Sequence, residues 1–248
     1  MNFDIIYLIF VLLIACIACW VVKKYFYKPI SHIGEFCISM ISVLLIVFLI
    51  RGFIGQVFWI PSGSLEPTLM PGDFVLINQL SYSINVPIIK KTLYQYNHPK
   101  TGEIIVFRWP VNPNVDFIKR VIGIPGDKIS YINKVLYING TVAKLSHPRK
   151  TVKLGPDKQE HTVTEYQENL LGVKHKIYVH PDVKSLNFYN LEVPKGAYFV
   201  MGDNRDNSDD SRDWGFVRLN TVIGEAAFVA FHYKDKQVNW DRIGKRII

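Results

Sequence analysis

Two serines separated by one glycine, Ser62 and Ser64, stand between Pro61 and Pro67 in the stretch Ile60-Pro-Ser-Gly-Ser-Leu-Glu-Pro-Thr-Leu-Met-Pro-Gly-Asp73. Proline restricts φ and glycine admits backbone angles closed to other residues, so this turn suits a hydroxyl held exposed and slightly strained, as a nucleophile requires. A Ser/Pro/Gly linker between two parts of a chain has the same composition. A nucleophilic hydroxyl also needs a base. Lys119 sits in Asp116-Phe-Ile-Lys-Arg-Val-Ile-Gly-Ile-Pro-Gly-Asp127, inside an apolar strand-like run. Burial there would disfavour its ammonium and leave an amine that takes a proton near neutral pH, which is the chemistry of a serine–lysine pair. On an edge strand the same residue is an ordinary solvated charge.

A third stretch, Met201-Gly-Asp-Asn-Arg-Asp-Asn-Ser-Asp-Asp-Ser-Arg-Asp-Trp-Gly-Phe-Val217, is dense in carboxylates. It fails the calcium-loop template, because Arg205 occupies a ligand position and Ser208 replaces the obligatory glycine. With Arg205 and Arg212 interleaved among the aspartates, a self-neutralising network of ion pairs fits better, and such a network could set a serine beside a neutral lysine. No metal and no cofactor is expected.

These stretches need elements to hold them. Hydrophobic residues make up 49% of the 248, and the excess lies at the start. An uncharged run spans Ile5 to Val22, and a second apolar run begins at Phe36 and continues past Arg51 to Trp59. We expect transmembrane helices over 1–22 and 36–57. The connecting segment 23–35 carries Lys23, Lys24, Lys28 and His32 against Glu35, so it should stay cytoplasmic and send the rest of the chain outward. Asp4 precedes the first run and the lysines follow it, the reverse of a cleaved leader. Cys16, Cys19 and Cys37 all fall in or near these runs, which leaves no disulfide for the exported part. Outside the anchor 25 basic residues stand against 19 acidic ones, and that net charge of +6 favours an anionic lipid surface over nucleic acid, since no nucleic-acid reader motif accompanies the scattered basic residues.

From Gly72 the pattern changes to short alternating runs, at 74–78, 103–109, 117–122, 128–132 and 135–138, separated by Pro-Gly and Asn-Gly turns. The fold class expected is mostly β, two transmembrane helices followed by a catalytic domain of bent antiparallel sheets over 58–140 and 196–248. Residues 141–195 read as an inserted small subdomain or loops on the face away from the chemistry.

Taken in order, the three stretches and the two apolar runs are similar to those of bacterial type I signal peptidases, membrane-anchored serine proteases that remove signal peptides from exported proteins. The resemblance implies Ser64 as nucleophile and Lys119 as general base. It implies an oxyanion hole from the Ser62 hydroxyl and the Ser64 N–H, Ser208 bonded to the lysine amine, and Asp203, Asp210 and Arg212 as braces. It puts Phe58, Ile60, Leu65, Leu69, Val106, Phe117 and Ile118 around shallow pockets for small side chains, which gives cleavage after an Ala-x-Ala site. Leu65 stands where methionine is common in the family. Signal peptides and membrane phospholipid are the partners implied, and the bacterial inner membrane, with the catalytic domain on its outer, periplasmic side, is the place. Ser64 follows Arg51 closely, so the site should meet its substrate at the membrane surface, where Phe53, Ile54, Val57, Phe58 and Trp59 would enter the interface.

Other chemistries fit less well. A self-cleaving repressor needs a DNA-binding helix pair at the start, an acyltransferase of the penicillin-binding kind needs Ser-x-x-Lys, and a metalloprotease needs clustered histidines. The seven histidines here are scattered. An inactive membrane-tethered β scaffold that binds exported proteins is the alternative from another class.

Overall fold

The computed structural model describes the backbone of residues 3–26, 31–86, 91–154 and 160–248, with side chains over 9–18, 20–21, 39–84, 92–153 and 160–248. Cys19, Cys37 and the basic side chains of the 23–35 segment lie outside the described residues. The chain divides into two compact units, one of residues 1–56 with 78–96 and one of residues 57–77 with 97–248.

In the first unit, helix α1 (Phe3–Phe26) packs against α2 (Ser31–Leu49). Phe10 meets Phe48 with ring centroids 5.9 Å apart, so the start of one helix lies beside the end of the other. Both helices run into the segment expected as a loop, because Lys, Tyr and Phe are compatible with a helix and a charge alone does not stop one. The second expected span is also cut short. After α2 comes a π-helical turn, Ile50–Ile54, and then β1 (Gly55–Trp59), with Gly52 and Gly55 weakening the helix where it changes. Among the described residues no helix is long and apolar enough to cross a membrane.

The second unit is nearly all β. It is fed by β1 and by β2 (Asp73–Asn78), while β3 (Ser83–Val86) and β4 (Lys91–Gln95) form a hairpin in the first unit. Then come β5 (Ile104–Arg108), β6 (Asp116–Gly123), β7 (Lys128–Ile132), β8 (Val135–Ile138) and β9 (Thr141–Val142). The expected runs thus emerge as strands within a residue or so. Segment 141–195 is more regular than expected, forming β10 (Lys144–Leu154), β11 (Glu160–Leu170), β12 (Val173–Val179) and β13 (Phe188–Glu192). The chain closes with β14 (Ala197–Met201), a one-turn helix α3 (Ser211–Trp214), β15 (Val217–Arg218), β16 (Val222–Lys234) and β17 (Gln237–Val238).

The main sheet runs β1-β2-β16-β5-β6-β14-β15, with β17 on β16. Its β5–β6, β5–β16 and β6–β14 pairs are antiparallel. A second sheet, β13-β7-β8-β9, and a third, β10-β11-β12, complete the unit. The fold is therefore mostly β, with antiparallel sheets.

Two apolar clusters hold it. One joins Ile60, Leu65 and Leu69 of the serine turn to Val75, Ile77, Ile104, Val106, Ala226 and Val229 of the main sheet, with Phe58 and Ile118 against it. The other packs Ile122, Phe199 and Met201 against Ile129, Tyr131, Leu136 and Ile138 of the second sheet and Leu170 of β11. Full burial of each such side chain stabilises by about 1.5–3 kcal/mol. The first cluster thus anchors the serine turn onto the sheet that carries the lysine.

Candidate active site

The serine turn is pinned at both ends. Ile60 N donates to Asp73 O at 2.8 Å and Gly72 N donates to Ile60 O at 2.9 Å, which closes residues 60–73 into a loop. Within it Glu66 N donates to Gly63 O and Leu69 N to Leu65 O, while Leu65 and Leu69 sink into the core. Ser64 comes out buried, 8% exposed, where exposure was expected, and Gly63 does not occupy the left-handed region. A Cβ there would lie 3.3 Å from the Glu66 carboxyl carbon, so the Glu66 side chain would have to give by a few tenths of an ångström. Ser62 is exposed beside it.

Successive residues of a strand point to opposite faces, and β6 uses both. Lys119 Nζ lies 2.7 Å from Ser64 Oγ, and Arg120 turns to Asp203. Lys119 is 5% exposed and sits 5.3 Å from the centre of the Phe117 ring. Burial lowers its pKa to about 8, against the opposing pull of Asp210, Asp209 and Asp203, with Arg212 adding a smaller push downward.

The acidic loop is a set of arginine–carboxylate pairs. Asp203 takes two hydrogen bonds from Arg120, at 2.8 and 2.7 Å, and one from Thr68 Oγ1 at 2.5 Å. Burial would raise the Asp203 carboxyl, but Arg120 overrides it and holds it low. Asp210 is likewise pulled down, through hydrogen bonds from Arg212 and from Gly202 N that outweigh its burial. It also caps α3, accepting from Arg212 N while Asp213 accepts from Asp210 N. Arg212 reaches onward to the Arg205 carbonyl at 2.5 Å and covers the Tyr131 ring. Ser208 Oγ is shielded from solvent without a hydrogen bond of ordinary geometry and stands over Gly202.

Segment 141–195 does not lie away from the chemistry. Tyr178, at the end of β12, bridges the acidic loop: its N donates to Asp203 O and its carbonyl accepts from Arg205 N, both at 2.9 Å. Arg205 makes a buried bidentate pair with Glu168 of β11. Burial raises the Glu168 carboxyl, yet Arg205 brings it down to about 2. His175 of β12 lies 3.1 Å from Glu168 and 3.8 Å from Asp203. Lys153 of β10 reaches Glu66 in the serine turn at 3.5 Å, lying over the Tyr178 ring. Alternation and turn signals could not reveal this, because Glu168 and His175 share a face with the buried Leu170 and Ile177 and acquire meaning only from the loop they meet.

Sequence reasoning also missed Asn204, whose backbone N donates to Ser64 O at 3.0 Å and whose Nδ2 donates to Gly63 O at 3.1 Å. It missed a second buried carboxylate, Asp73, which accepts from Met70 N at 2.7 Å and from Arg242 and lies 2.7 Å from His232 Nδ1. Arg242 also donates to Thr68 O, so the end of the serine turn is tied to residues far along the chain. The acidic residue after Pro71-Gly72 was the one available signal. Of the expected pocket residues, Ile60, Leu65, Leu69 and Val106 are buried core, Phe58 and Ile118 border them, and Phe117 stacks on Trp109 with centroids 4.8 Å apart. Among the described residues no group of histidine, cysteine and carboxylate side chains could hold a metal ion.

The whole arrangement allows acyl transfer by a serine whose proton passes to a desolvated lysine. Comparison with known proteins gives the family. The profile of the signal peptidase family, peptidase S26, matches residues 33–231. Signal peptidase I of Pseudomonas aeruginosa is 38% identical over 232 residues, covering 85% of this chain and 78% of that one. Signal peptidase I of Buchnera aphidicola subsp. Schizaphis graminum is 37% identical over 254 residues, covering 88% and 79%. That of Pseudomonas fluorescens is 37% identical over 246 residues, covering 90% and 82%. With most of its length inside that one profile, the chain belongs to the signal peptidase family, peptidase S26.

Proposed function

We propose that Ser64 is the nucleophile and Lys119 the general base of this enzyme, a serine endopeptidase that removes signal peptides from preproteins. The observation that carries the residue assignment is the 2.7 Å approach of a buried amine to a buried hydroxyl. With Lys119 neutral, the Ser64 hydroxyl donates to Nζ, and its oxygen attacks the scissile carbonyl as the amine takes the proton. The Ser64 N–H and the Ser62 hydroxyl receive the developing oxyanion. The Lys119 ammonium then protonates the leaving amine, the signal peptide stays as an ester on Ser64, and water activated by the neutral lysine hydrolyses it.

Asp203, Asp210 and Arg212 act by holding the loop against Lys119, and Ser208 lies within that loop. Phe58, Ile60, Leu65, Leu69, Val106, Phe117 and Ile118 shape pockets for small side chains at an Ala-x-Ala site. We place the chain in the bacterial inner membrane through its two amino-terminal helices, near phospholipid and with the catalytic domain on the outer side. The charge-free run Ile5–Val22 and the exposed Ile54, Val57 and Trp59 support that reading.

Cleavage of a preprotein with an Ala-x-Ala site, in detergent with lipid, tests the assignment. Ser64→Ala and Lys119→Ala should each fold and fail to cut, while the wild type cuts after the second alanine. A Lys119→Ala enzyme with near-normal activity would remove the base.

A further inference from the structure

One residue grips the peptide units on both sides of Ser64. Asn204 Nδ2 donates to the Gly63 carbonyl at 3.1 Å, and Asn204 N donates to the Ser64 carbonyl at 3.0 Å. The Gly63–Ser64 peptide is planar and trans, so its carbonyl and its N–H point in opposite directions. Holding Gly63 O on one side, which the Asn204 amide does together with Glu66 N at 3.1 Å, therefore fixes the direction of Ser64 N–H on the other. A carbonyl that accepts a hydrogen bond also polarises its own peptide, which makes that N–H a better donor.

Asn204 is in turn held firmly. It is 4% exposed and pairs as an isolated bridge with Tyr178. The Gly63 carbonyl accepts only, so the amide must present Nδ2 to it and turn Oδ1 the other way. There it meets His180 Nε2 at 3.1 Å, and that ring nitrogen must carry the proton. His180 is anchored by its backbone, with N donating to Asp206 Oδ2 at 2.8 Å and its carbonyl accepting from Lys134.

We infer that Asn204 is a positioning residue that aims the Ser64 N–H at the oxyanion of the tetrahedral intermediate, and that His180 sets the orientation of the Asn204 amide. The inference rests on Ser64 being the nucleophile. Its effect belongs to the transition state, since the substrate carbonyl needs that donor most when it carries charge.

The test is steady-state cleavage of an Ala-x-Ala preprotein by the full chain in detergent with lipid, read as kcat, KM and the pH midpoint of kcat. Asn204→Ala keeps the backbone bond to Ser64 and loses the side-chain one. Its kcat should fall about 10- to 100-fold, somewhat less than deletion of an oxyanion donor, with KM within about twofold. The pH midpoint should stay at the wild-type value, because Lys119 is untouched. A peptide aldehyde that forms a tetrahedral adduct with Ser64 should lose affinity in the same proportion. His180→Ala should show a smaller loss of kcat, and His180→Gln, which restores an N–H donor, should recover most of it.

A kcat for Asn204→Ala within about twofold of wild type overturns the inference, as does a loss that appears only in KM or moves the pH midpoint. If Asn204→Ala does not fold, the His180 pair decides: equal activity in His180→Ala, His180→Gln and wild type overturns it. Ser64→Ala separates the two readings. An inert Ser64→Ala beside a fully active Asn204→Ala sinks this inference alone, whereas an active Ser64→Ala sinks the nucleophile itself.

Discussion

Lys119 suits the role of base proposed for it because the fold makes its charge costly. Its pKa lies near 8 in the folded chain against 10.5 for a free lysine, with burial as the main cause. Activity should rise with pH through about 8 as the amine loses its proton and fade in acid, and a pH–rate profile flat from 6 to 9 would contradict the role. The sign for stability follows from the same shift. Below pH 8 both states are protonated and the fold bears the full cost of a buried ammonium; between 8 and 10.5 the unfolded chain binds more protons, so the cost declines and vanishes above that range. Lys119→Met should therefore stabilise the protein at pH 7, by up to about 3 kcal/mol, and have no such effect near pH 11; thermal melts at the two pH values check this. At Gly202 it is smallness that matters. A Cβ there would overlap both the Ser64 carbonyl oxygen and Ser208. Gly202→Ala should displace the serine turn from the lysine and lower kcat at least about 100-fold, whereas Gly126→Ala, whose Cβ meets nothing but whose φ of 90° strains its own turn, should cost stability and leave kcat near normal.

Among the elements, the β10–β12 sheet is the one whose purpose the sequence hid. It supplies Glu168 to Arg205, Tyr178 to the Asp203–Arg205 backbone and Lys153 to Glu66. Removing one partner of a buried pair leaves the other charge uncompensated, at a cost of about 3–5 kcal/mol. Glu168→Ala should lower stability by that order and lower kcat with it, because the freed arginine shares its backbone with Asn204. Lys176→Ala, which breaks the solvent-exposed pair with Glu165 at 2.8 Å, should change stability by less than about 1 kcal/mol. Urea unfolding of the two variants compares them directly. If Glu168→Ala proved as stable as Lys176→Ala, the sheet would not be a brace.

For the molecule as a whole, acid is the condition that should undo it. Asp203 and Asp210 have carboxyls held below the ordinary range, and Glu168 is held at about 2. A carboxylate lowered on folding stabilises above its unfolded pKa, near 4, and that contribution disappears as pH falls through its folded value. Stability should thus hold down to about pH 4 and drop steeply from there toward pH 2. A circular-dichroism titration checks it, and a transition centred above pH 5 would point to other groups. By itself, the sequence determined β2, β5 and β6 of the main sheet, since period-two alternation and Pro-Gly turns are local signals. It also offered Ser64, Lys119 and the acidic loop as candidates for the chemistry, and their resemblance to the boxes of type I signal peptidases chose among the readings each allowed. The tertiary structure alone decided that Lys119 is buried rather than solvated, since both fates are compatible with the same strand. Only it brought Asn204 to the serine turn, with His180 beside Asn204 and Glu168 on Arg205, and only it made the 141–195 segment a support for the site. Burial and pairing depend on residues distant in the chain meeting across strands, and no local pattern in a sequence encodes which of them will meet.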